Sequence, residues 1–70
     1  MLRERVSSSS IAAIGYADDA ETLEVKFVTG TVYRYRGVDA DVYENFRLAP
    51  SKGAFFNTHI KDAYPWEQVE

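Results

Sequence analysis

The chain has 70 residues, with 8 basic and 11 acidic side chains, one histidine and no cysteine, and a formal net charge of −3. That length holds one small domain. The missing cysteines exclude disulfide staples and thiolate metal sites, and the acidic balance argues against tight non-specific DNA binding, which rests on neutralising phosphates. Packing alone must hold so small a fold, and 46% apolar with 14% aromatic residues supply the means. No apolar run approaches the ~20 residues of a membrane span. The charged start Met1-Leu2-Arg3-Glu4-Arg5 runs into Ser7–Ser10 rather than an apolar signal core, and neither Leu2 nor the end Gln68-Val69-Glu70 carries a lipidation signal. The expectation is a cytoplasmic protein, of bacterial type, with no membrane partner.

Residues 1–7 read as a charged, frayed arm. In Ile11–Tyr16, alternation of Ala12, Ile14 and Tyr16 predicts a half-buried strand, and Gly15 within it suggests a bulge or a close backbone approach. Asp18, Asp19 and Glu21 form a solvated loop. Leu23, Val25 and Phe27 then alternate with Glu24 and Lys26, and Tyr33 and Tyr35 with Arg34 and Arg36, which is a β-hairpin. A two-residue loop would turn both tyrosines to water. A three-residue loop, Val28-Thr29-Gly30, pairs Val25 with Tyr33 and Leu23 with Tyr35, gathers the large apolar side chains on one face and sets Glu24 opposite Arg34 on the other. One residue of slip exchanges the faces, and the three-residue loop satisfies both packing and charge.

From Asp39 the period changes. Val42, Tyr43, Phe46 and Ala49 share one face of a helix capped at Asp39 and stopped by Pro50. Ser51 caps a second helix over Lys52–Lys61, ended by Tyr64-Pro65-Trp66. The expected fold is α+β: a three-stranded antiparallel β-meander followed by two short helices packed on one face of the sheet. Its core gathers Leu23, Val25, Phe27, Tyr33, Tyr35, Val42, Phe46, Phe55 and Ile60.

The ordered set of Ser8 or Ser9 with Ile11, Ile14-Gly15-Tyr16, Leu23-x-Val25-x-Phe27, Gly30, Tyr33-Arg34-Tyr35, Val38, Val42-Tyr43, Ala49-x-Ser51-x-Gly53, Phe55-Phe56-Asn57, Ile60 and Tyr64 resembles the KTSC domain. That family is named for the C-terminus of some lysyl-tRNA synthetases and also occurs alone in small bacterial proteins. Members often carry proline where this chain has Asp39, and both suit a helix start. The resemblance implies an α+β domain without established chemistry and, by analogy with the synthetases, an RNA-binding role.

No catalytic constellation accompanies it. His59 is the single histidine, with Asp62 three residues on, and Ser51 serves better as a helix cap than as a nucleophile. One histidine and no cysteine make no zinc site, and Asp18, Asp19 and Glu21 lack the spacing of a calcium loop. No enzyme, cofactor or metal is expected. The candidate anion- or RNA-binding residues are Ser51, Lys52 and Gly53 at a helix start, where free N–H groups collect anions, with Arg47, His59 and Lys61 able to widen the patch. Lys26, Arg34 and Arg36 add a basic strip on the open sheet face. The function expected is a non-enzymatic binding module with RNA, tRNA or a ribonucleoprotein as partner. The alternative is a protein-interaction module that pairs through a sheet edge, including as a homodimer.

Overall fold

The computed structural model describes residues 2–70. Five strands form one antiparallel sheet in chain order: β1 (Arg3–Arg5), β2 (Ile11–Ala17), β3 (Thr22–Phe27), β4 (Val32–Arg36) and β5 (Trp66–Gln68). Between β4 and β5 the chain forms α1 (Ala40–Leu48) and α2 (Lys52–Phe55), which runs on as a π-helical segment, Phe56–Ile60. The α+β class matches the expectation, but the sheet has five strands, not three.

The hairpin has the register that the buried aromatics require. Leu23 faces Tyr35, Glu24 faces Arg34 and Val25 faces Tyr33. Phe27 N–H donates to Thr31 O at 2.9 Å, which leaves Val28-Thr29-Gly30 as the loop, and Gly30 takes φ 97°, the left-handed position of such a loop. In β2 the irregularity lies between Ile11 and Ala13. The bulge lets both Ile11 and Ile14 reach the core, fully buried, beside Leu23 and Val25.

The helices close the same face. Phe46 of α1 and Phe56 and Ile60 of the second helix are buried against the sheet. Phe46 stacks on Phe55, with ring centroids 5.5 Å apart. Tyr16 stacks on Tyr43 at 4.8 Å and donates its hydroxyl to Val38 O at 2.6 Å, tying β2 to the entry of α1. Phe27, Tyr33, Val42 and Phe55, expected within the core, pack against it half-buried, while Val38 and Phe56 join it fully. The second helix closes through Lys61 N–H to Phe56 O at 2.9 Å, a five-residue step that widens its last turn.

The two added strands form the sheet edges: the first corrects the expectation, and the second takes one of the two courses, folding back or fraying, that the sequence leaves open for the last residues. Residues 3–5, expected within a frayed arm, pair with β2, Arg3 opposite Gly15 and Arg5 opposite Ala13. The last residues return as β5 beside β4, Tyr35 opposite Trp66 and Arg34 opposite Glu67. Both strands are short; backbone ladders pair them, with the Arg3–Glu24 and Arg36–Glu67 ion pairs and the Trp66–Tyr33 ring contact added.

Candidate functional site

The start of the second helix is occupied by its own chain. Ser51 Oγ accepts from Ala54 N–H at 3.2 Å, and Lys52 Nζ donates to Ala49 O at 2.6 Å. A Cβ on Gly53 would come within 3.1 Å of Ser10 Oγ, so the glycine lets α2 lie close to the loop before β2. His59 is exposed and lies tilted against the Phe55 ring at 4.6 Å.

On the open face, the strand register lines up Arg3, Gly15, Glu24, Arg34 and Glu67 in one row across all five strands. Arg3 reaches across β2 to Glu24, Nε to Oε1 at 2.6 Å, and Arg34 meets the other oxygen at 2.8 Å. Gly15 makes this crossing possible: a Cβ there would sit 2.6 Å from Leu2 O and 3.3 Å from Arg3 Cγ. Glu24 is 2% exposed. Burial works to raise its pKa, but the hydrogen bonds and charges of Arg3 and Arg34 outweigh it and hold the carboxyl below its usual range. Arg36 pairs with Glu67, while Lys26 makes no ion pair among the described residues. The strip expected to be basic thus carries two of its three charges, Arg34 and Arg36, in ion pairs.

The opposite face holds a cleft that sequence patterning does not reveal. The helices leave the end of the sheet nearest β5 uncovered, and a cavity of about 390 Å³ opens there. Tyr33, Tyr35, Phe56 and Trp66 form its aromatic walls with Phe27. Their rings meet edge to face: Tyr33 with Trp66 at 5.3 Å, Tyr35 with Phe56 at 5.6 Å and Phe27 with Phe56 at 5.4 Å. Asn57, Lys61 and Asp62 from the end of the second helix, and Ser10 from the loop before β2, supply its polar groups. Burial, with the charges of Tyr33 and Asp62 added, pushes the Tyr35 phenol up to about 12. Of the residues singled out in sequence, Gly53 lines this cleft and Lys61 lies in it, while Lys26, Arg34 and Arg36 sit on the far face. The tyrosines were visible as core. Trp66 was the missing signal, because its place depends on β5 returning to pair with β4.

The KTSC domain model matches residues 7–64. The chain belongs to the KTSC domain family. A crystal structure of a KTSC domain protein from Yersinia pestis superposes with a TM-score of 0.96 at 39% identity, covering 99% of this chain and 97% of that one. A lysine–tRNA ligase of Nostoc punctiforme is 39% identical over 61 residues, 87% of this chain but 11% of the ligase. An uncharacterised protein of Stutzerimonas stutzeri is 38% identical over 61 residues, 87% of this chain and 86% of that protein. The chain therefore spans a small part of the ligases it matches and nearly the whole of the free-standing KTSC proteins. No helix among the described residues is long and apolar enough to cross a membrane.

Proposed function

We propose that this KTSC domain is a non-enzymatic module that binds single-stranded RNA through the cleft between β4, β5 and the second helix. The observation that carries the reading is the aromatic cavity itself: Tyr33 and Trp66 present ring surface beside Lys61, over a floor that includes the buried Phe56. Unstacked bases gain by stacking on such rings, and a lysine at the rim meets a backbone phosphate. The occurrence of the domain in lysine–tRNA ligases agrees with an RNA partner. Arg34 and Arg36 of the open face are engaged by Glu24 and Glu67, which leaves them less available to phosphate. The test uses Trp66, the single tryptophan, as reporter. Transfer RNA or a short single strand should quench its fluorescence at physiological salt, and Lys61→Glu should weaken the effect while leaving the fold intact, because Lys61 is exposed. Unchanged fluorescence and no retained RNA in a pull-down would reject the reading.

A second reading rests on β5, which is exposed along its length and leaves one edge unpaired. Such an edge accepts a strand from another protein or from a second copy. Light scattering over a concentration series separates the two: a dimer disrupted by proline at Gln68 favours the edge.

A further inference from the structure

Tyr35 is 4% exposed, yet its hydroxyl makes no hydrogen bond to any described residue. No fully enclosed side-chain polar atom lacks a partner, so this hydroxyl opens on the cleft that Tyr35 lines. Open to the cleft, the hydroxyl can bond water or an acceptor of a bound ligand. Burial and the nearby Asp62 keep it protonated, and hence a donor, well above neutral pH. The same cleft is lined by Lys61, also a donor, Asn57, able to donate or accept, and Asp62, which only accepts.

Resting on the RNA reading above, we infer that the cleft selects a guanine base, with Asp62 accepting from its N1–H and exocyclic amine and Tyr35 donating to its O6, while Lys61 stays with the backbone phosphate. The polar groups decide among the bases. Adenine offers an amine but no carbonyl. Cytosine offers one amine beside two acceptors, and uracil one N–H between two carbonyls. Guanine alone places two adjacent donors next to a carbonyl, which matches a cleft lined by the Asp62 carboxylate and the Tyr35 hydroxyl. The aromatic walls, chiefly Tyr33 and Trp66, supply the stacking surface for the ring.

The guanine can come from an RNA strand or from a free nucleotide, and the experiment separates them. Four hexauridylates that carry G, A, C or U at one central position, and the four free mononucleotides, are titrated against the protein at fixed salt with Trp66 fluorescence as readout. The G-containing strand should bind at least about tenfold tighter than the other three, the scale of one bidentate base contact. Asp62→Asn should abolish that preference without abolishing strand binding. Tyr35→Phe, which removes only a hydroxyl without a protein partner, should weaken the G strand selectively and leave the melting temperature unchanged. If guanosine monophosphate binds as tightly as the G strand, the base recognition holds and the source is the nucleotide. Equal binding of the four strands, or a preference that survives Asp62→Asn, overturns the guanine assignment and leaves the RNA reading standing. No binding of any strand overturns both.

Discussion

Glu24 is the residue on which the open face depends. Its carboxylate is buried, and Arg3 and Arg34 each take one of its oxygens. Because its folded pKa lies below the ordinary carboxylate range, the pair contributes stability above the unfolded value near ~4.3, and that stability is lost as pH falls through the lower folded one. Glu24→Gln should therefore melt lower at neutral pH and lose the part of the acid-side fall in stability that Glu24 contributes. The cost should be about 2 kcal/mol, less than the ~3–5 kcal/mol of breaking a fully enclosed pair, because both arginines can turn to water. The Glu44 carboxyl is also lowered, by its hydrogen bond from Arg47, but that pair is exposed and Glu44→Gln should leave stability nearly unchanged. Denaturant melts of the two variants at pH 3 and pH 7 check both statements. In the core, Phe46 is fully buried, and Phe46→Ala should cost about 3–5 kcal/mol, much of what a domain this small has. Loss of a cooperative melt at 37 °C is the expected readout.

At the scale of elements, β1 is attached by a contact that only glycine permits. Gly15→Val would drive a side chain into Leu2 O and the Arg3 stem, so it should undock β1 and cost about 1–3 kcal/mol. Hydrogen exchange should then accelerate at Arg3–Arg5 and at Val6, whose N–H bonds Ala12 O, with the β3–β4 hairpin still protected. The same elements mark what the sequence could express. The β3–β4 register was legible because two independent constraints, a shared apolar face and the Glu24–Arg34 pair, agreed on one loop length. The helix starts at Asp39 and Ser51 were legible from caps and from Pro50, although the Asp39 side chain makes no capping bond. β1 and β5 were not legible. Arg3-Glu4-Arg5 and Trp66-Glu67-Gln68 are too short and too polar to show a period, and each is a strand only because of a partner far away in sequence. The cleft was hidden for the same reason: Tyr33 and Tyr35 declared their face, but its open end is bounded by Trp66. The π-helical turn at Phe56–Ile60 likewise has no signature in a run of apolar spacings.

Over the whole molecule, charge is divided by the sheet. Arg3, Arg5, Lys26, Arg34 and Arg36, five of the eight basic residues, lie on the open face, and the cleft side keeps Lys61 at its rim. With a net charge of −3, the proposed RNA binding would rest on stacking more than on phosphate contacts. The dependence of log affinity on log salt should be shallow, with a slope of about −0.7 for one phosphate on a single strand. A steep slope would place the RNA on the arginine face instead. The central claim is that the cleft is the binding surface, and an amide chemical-shift titration with a short single-stranded RNA at physiological salt tests it most directly. The account predicts that shifts concentrate at Tyr33, Tyr35, Phe56, Asn57, Lys61 and Trp66, with the Trp66 indole moving furthest. Shifts confined to the open face or to β1, or a spectrum that does not change, would contradict it.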